Sequence, residues 1–195
     1  LAILLDLLGA TVVGSLLILT LVSYQGNVSE FAVLNNNERI VQQNLVSIVE
    51  LLENDLRKIG YSRGGPQVPD PVLVHDSTRI KFLADINDNG TLDTVAYRLG
   101  SLGQIPYTPE HPFRILYRQV TSVDNVPAWT VGPVGSHLGV TKFRLDYYQA
   151  DGATPAPPYQ VIRVTLKIES PYALGDKYAV AVWQQKRVVA RNVLR

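Results

Sequence analysis

Three regimes of apolar and polar positions follow one another along this chain. From Leu1 to Ser23 (LAILLDLLGATVVGSLLILTLVS) 16 of 23 residues are aliphatic and Asp6 is the only charge, which leaves no polar stripe for solvent. A helix of that length spans roughly 34 Å, enough to cross a hydrocarbon core of about 30 Å. The pattern predicts a membrane span, since a buried core helix is rarely so long and so uniformly apolar. Beyond it the apolar residues thin to one face. Phe31, Leu34, Val41, Leu45, Ile48, Leu52, Leu56 and Ile59 recur at steps of three, four or seven, with Glu50, Glu53, Asp55, Arg57 and Lys58 mostly between them. Gly60 offers a C-terminal stop, with Arg57 and Lys58 suited to the negative end of the helix dipole. One helix, or two nearly collinear ones, is predicted from about Leu1 to Ile59, roughly 85–90 Å long. Gly26-Asn27 and Asn35-Asn36-Asn37 are poor helix formers and mark where it could bend.

The third regime alternates with the period of strands. Short runs appear at Arg79–Ala84, Thr94–Leu99, Phe113–Val120, Val140–Tyr148, Gln160–Glu169 and Tyr178–Val189, separated by Gly, Pro, Asn or Asp. These runs are read as antiparallel strands, and a sheet with one apolar face needs a cover. The stripe of Val41–Ile59 is the helical face on offer. The expected fold is therefore α+β: a membrane-spanning segment over 1–28, an amphipathic helix over 29–60, and an antiparallel β head over 61–195.

Composition narrows the chemistry. The chain has no cysteine, which excludes thiol chemistry and cysteine-ligated zinc, and 18 Lys+Arg against 17 Asp+Glu gives no field that favours nucleic acid as the main partner. It also has no methionine, so Leu1 is expected to have been exposed by removal of a leader. His75, His111 and His137 are scattered, with no HExxH spacing, and read as ordinary surface residues. No serine completes a G-x-S-x-G elbow, and the glycines of 132–139 lack the Lys-Ser/Thr of a phosphate loop, so no enzyme is expected. Lys177, Lys186, Arg187, Arg191 and Arg195 make the C-terminal segment basic, which a solvated strand face and tail explain.

One loop carries candidate ligands. In Asp85-Ile86-Asn87-Asp88-Asn89-Gly90-Thr91-Leu92-Asp93, oxygen-bearing side chains stand at positions 1, 3, 5 and 9 with glycine at 6. That matches the first nine positions of a calcium loop through Asp85, Asn87, Asn89 and Asp93, but Ala96 stands at position 12 where a bidentate glutamate belongs. The simpler expectation is a hairpin turn between Ile80–Ala84 and Thr94–Leu99, with Asn89-Gly90 supplying positive φ. No cofactor is expected, calcium being the one candidate.

The long N-terminal helix with Gly14, the stretch Glu53–Tyr61 (ENDLRKIGY) followed by Ile80–Leu99, and the ending Ile162–Ser170 (IRVTLKIES) with Lys186–Leu194 (KRVVARNVL) together resemble the type IV pilins, minor pilins and secretion pseudopilins. The resemblance implies a processed subunit held in a bacterial or archaeal inner membrane and then polymerised into an extracellular filament. Its implied partners are further copies of itself, other pilins, a prepilin peptidase and the pilus assembly machinery. Leu1, Asp6, Ala10, Gly14 and Ser15 would then be assembly residues, the small ones permitting close helix approach. Pilins usually carry glutamate as the fifth mature residue, whereas here Leu5 stands there and the acid is Asp6. Two roles are open to Asp6: pairing with the N-terminal amine of a neighbouring subunit, as the resemblance implies, or local interaction with the positive end of its own helix. A minor pilin or pseudopilin at a filament tip, and a monomeric membrane-anchored binding module, are the alternatives.

Overall fold

The computed structural model describes residues 2–65, 68–104, 108–122, 139–157, 159–170 and 178–189. Its first element is a single helix, α1 (Ala2–Arg57), unbroken through both places where a bend could have occurred. At the standard rise it is roughly 84 Å long. It ends in a turn closed by Tyr61 N–H donating to Lys58 C=O at 2.8 Å. Gly60 (φ 73°) adopts there the left-handed conformation that the sequence stop requires.

Seven strands follow: β1 (Val72–Asp76), β2 (Arg79–Ala84), β3 (Asp93–Leu99), β4 (Leu116–Ser122), β5 (Gly139–Tyr148), β6 (Val161–Glu169) and β7 (Val180–Val189). They form two antiparallel sheets, ordered β1-β2-β3-β4 and β5-β6-β7, rather than the single sheet of the sequence expectation. The run beginning at Phe113 joins its sheet only from Leu116. Arg114 instead bridges to Val140 of β5, while Leu145 N–H donates to Ser77 C=O at 2.8 Å. The edge of β5 thereby closes against one end of the first sheet. Gly139 is required at this junction, because a Cβ there would lie 2.2 Å from the Phe113 ring.

One hydrophobic core links helix and sheets. Val41, Leu45, Ile48, Leu52, Leu56 and Ile59, the stripe read from the sequence, pack with Ile80, Phe82, Val95 and Leu116 of the first sheet and Phe143, Val164, Leu166 and Ile168 of the second. Ala179 and Ala181 are small and buried where β7 passes α1, which lets the helix lie close. Burial on α1 begins at Val41, and no residue from Ala2 to Ile40 is buried. The helix therefore has a docked C-terminal third and a free arm, with the change later than position 29.

Candidate functional site

The arm is the first feature with functional content. Leu4, Leu8, Leu16, Leu17, Leu21 and Val22 are each more than half exposed, and the helix is long and apolar enough to cross a membrane. Thr11, Ser15 and Thr20 turn their hydroxyls back onto the carbonyls of Leu8, Val12 and Leu17 at 2.8–2.9 Å, so the arm presents few polar groups that hydrocarbon could not satisfy. Asp6, Ala10 and Gly14 stand four residues apart and share one stripe of the helix, with Ser15 beside them. A Cβ added at Gly9, Gly14 or Gly26 would meet nothing within 4 Å, so nothing within this chain demands a glycine at any of them. Glycine inside a helix costs roughly 1 kcal/mol relative to alanine. Asp6 has no hydrogen bond or ion pair among the described residues, and it lies beyond the first turn. Leu1 lies outside the described residues.

At the C-terminal end of α1, beyond the docked stripe, two polar clasps hold the helix to the head. Asp55, counted above with the solvent-facing charges, is instead fully buried. It accepts hydrogen bonds from Tyr97 Oη at 2.6 Å, from Arg118 Nε at 2.6 Å and from Arg118 Nη2 at 3.1 Å. These bonds tie the last turns of α1 to β3 and β4. Burial and the nearby Asp55 charge push the Tyr97 hydroxyl well above its ordinary range. Burial alone would lower the Arg118 pKa, but the hydrogen bond and charge of Asp55 outweigh it and raise it.

The second clasp is the 85–93 loop. Gly60 N–H donates to Leu83 C=O and Asp85 N–H to Tyr61 C=O, laying the chain after α1 beside the end of β2. Lys58 Nζ donates to Ile86 C=O at 2.8 Å and pairs with Asp88 at 3.5 Å. Asp85, fully buried, accepts N–H bonds from Gly90 at 2.8 Å, Asn89 at 3.0 Å and Arg63 at 3.2 Å. Burial would raise its pKa, but those N–H groups hold it below the usual carboxylate value.

The remaining calcium candidates are engaged in the same way. Asn87 Oδ1 accepts from Asn89 N–H, Asn89 Oδ1 from Thr91 N–H and hydroxyl, and Asp93 Oδ2 from Ile86 N–H. Among the described residues no three His, Asp or Glu side chains converge as a metal site. The hairpin is present as expected, with Ala84 paired to Asp93, but its positive φ angles fall at Asp88 (57°) and Gly90 (86°), not at Asn89. Gly90 is doubly constrained, since a Cβ there would also press to 3.2 Å of Arg63 C=O.

A third polar cluster was not visible in sequence. Glu169, at the end of β6, is buried and accepts from Lys167 Nζ and from Thr141 Oγ1 at 3.2 Å, with His111 Nδ1 at 2.5 Å. Burial acts to raise the Glu169 pKa, but the Lys167, His111 and Thr141 hydrogen bonds prevail and lower it. The His111 ring stacks on Tyr178 with centroids 4.1 Å apart. His111 thus fastens the loop before β4 to the second sheet instead of standing in solvent. Such a pairing spans 58 residues and has no local signal. His137 lies outside the described residues.

No protein-family model matches the sequence, and neither does any curated protein. Among solved structures the chain is similar to a type IV-like pilin from Thermus thermophilus. The two are 14% identical and superpose with a TM-score of 0.53, over 78% of this chain and 97% of that one. The fold is that of a type IV-like pilin. The likeness is one of fold: here a long N-terminal helix packs its C-terminal third on antiparallel sheets.

Proposed function

We propose that this chain is a structural subunit of a type IV pilus-like filament, anchored in a membrane through its arm before assembly and held in the fibre by packing of arms. The observation that carries this reading is the arm itself: an apolar segment of α1 that contributes nothing to the head's core. Each large aliphatic side chain removed from water is worth roughly 1.5–3 kcal/mol, so an arm of this composition needs lipid or other arms around it. The stripe of Asp6, Ala10 and Gly14 favours other arms as the final surroundings, because the glycine's cost is offset where a second backbone comes close. Repeated head-to-tail contacts that do not close into a ring then give a helical polymer. The reading needs no cofactor and no catalysis.

Asp6 supplies the test. An unpaired carboxylate in the hydrocarbon costs about 2.5–3.5 kcal/mol on insertion scales, and pairing with the N-terminal amine of a neighbour would remove that cost and set axial register. In cells that export and assemble the chain, Asp6→Ala should leave the membrane-inserted pool unchanged and abolish or sharply reduce sheared fibres, while Asp6→Glu retains some. Normal fibre yield from Asp6→Ala would remove the register role and leave Asp6 with its own helix.

A further inference from the structure

The face of the head that is farthest from sequence expectation lies at the β5 edge, where the turn between β1 and β2 meets the loop before β6. A cleft of about 290 Å³ opens there, and Leu145, Tyr147, Tyr148 and Pro155 help to line it. Three rings form one wall: His75 and Tyr159 with centroids 4.8 Å apart, Tyr147 and Tyr159 at 5.5 Å, and His75 and Tyr147 at 6.0 Å. The wall is held in place. Tyr147 Oη donates to the carbonyls of Asp76 at 3.0 Å and Arg79 at 3.3 Å, and the Leu145–Ser77 backbone bond fixes the floor. Ser77 and Asp146 complete the lining, Asp146 from the outer face of the β5 edge. Among the described residues the His75 imidazole and the Ser77 and Tyr159 hydroxyls have no hydrogen-bond partner.

We propose that this cleft binds a neutral saccharide unit, stacked on the Tyr159–His75 wall and hydrogen-bonded through its hydroxyls to His75, Ser77 and Asp146. Preformed clefts with an aromatic wall and a few convergent polar groups are the usual form of small-ligand sites, and this one, at about 290 Å³, falls just short of their volume range of about 300–1,000 Å³, room for a single sugar unit. The polar set mixes donors and acceptors, as a polyol requires, and an apolar ring face complements the C–H face of a pyranose. Charge argues against the other small ligands. Asp146 is neutralised by Arg144, whose Nε donates to Oδ1 at 2.9 Å, so it offers Oδ2 to a hydroxyl rather than an unpaired charge to an ammonium group. Arg163 lies over the Tyr148 ring at 4.8 Å and donates from Nη1 to Tyr148 Oη, and among the described residues neither it nor any other Arg or Lys lines the cleft, which disfavours a phosphate. A proline-rich peptide would use a longer and more apolar groove than one in which only Leu145 and Pro155 lack a hydrogen-bonding group. The site does not depend on polymerisation, since a membrane-anchored monomer would present the same cleft.

The test uses the full chain in lipid nanodiscs, free of sugar-based detergent, on an array of neutral and acidic oligosaccharides and a proline-rich peptide. Retention of one or more neutral glycans above empty nanodiscs is expected. For a retained glycan, Tyr159→Ala and His75→Ala should each weaken binding about tenfold or more, while Tyr159→Phe stays within a few-fold because the stacking face is kept. Ser77→Ala, at an exposed turn outside the ring cluster, provides a variant that leaves the packing intact and should weaken binding about three- to tenfold. Thermal melting of each variant separates lost binding from lost folding. No retained neutral glycan, retention of the peptide or of acidic glycans alone, or binding that survives Tyr159→Ala and Ser77→Ala unchanged would overturn the assignment.

Discussion

Asp55 sits in a helix whose neighbouring acids face water, and its burial is tolerable because Arg118 and Tyr97 meet both of its oxygens. Breaking such a pair by removing one member strands the other charge, at a cost of roughly 3–5 kcal/mol, whereas replacing both with apolar groups is often neutral. Asp55→Leu and Arg118→Met should each lower the unfolding midpoint of the head sharply, and the double variant should recover much of the loss. Additive losses in the double variant would show that the clasp is no unit. Glu169 makes a second residue-scale prediction, through pH. Its folded pKa lies below its unfolded value of about 4.3, so its stabilisation is present above that value and is lost as pH falls through the folded pKa. Stability should therefore decline with acid below about pH 5. Glu169→Gln should be less stable at neutral pH and show a shallower acid slope; an unchanged slope in denaturant titrations would contradict the assignment. Tyr97 acts in the opposite direction: its raised pKa keeps its contribution intact below about pH 10 and loses it only in strong base.

Among the elements, the 85–93 loop shows how one motif can meet two expectations. Its spacing of oxygens suits a cation, yet its geometry turns those oxygens onto N–H groups that fasten the end of α1. Asp85→Ala should cost on the order of 1–2 kcal/mol, since it removes the acceptor of three part-buried N–H groups, and the cost should be equal in calcium and in chelator. A wild-type melting temperature that rises in calcium, with Asp85→Ala abolishing the rise, would restore the calcium loop. Legibility in sequence followed periodicity. The Val41–Ile59 stripe and the longer strands were readable because burial repeats every three to four or every two residues. The β1 strand was missed because it is five residues long and ends in His75-Asp76. Division into two sheets depends on pairings such as Arg114 with Val140, which no local pattern encodes. Asp55 and Glu169 were invisible as site residues for a related reason: hydropathy assigns a carboxylate to solvent, and only its distant partners reverse that.

At the scale of the whole molecule, the docked C-terminal third of α1 makes the head a unit with its own core, and the arm leaves that unit without contributing to it. Such a division suits a subunit that must be stable in a membrane and again in a polymer, because only the surroundings of the arm change. The clasps at Asp55, Lys58 and Asp85 gather at the C-terminal end of α1 and anchor it beyond the point, near Val41, where the arm leaves the head. The most direct measurement is electron cryomicroscopy of fibres sheared from cells that express this chain, with mass spectrometry of the same material. The account predicts fibres built mainly of this chain, with residues 2–40 bundled at the axis, the Asp6–Gly14 stripe facing a neighbouring arm and the sheets outside. A chain that stays monomeric in the membrane while its export machinery is active, or fibres joined through their heads with the arms at the periphery, would contradict it.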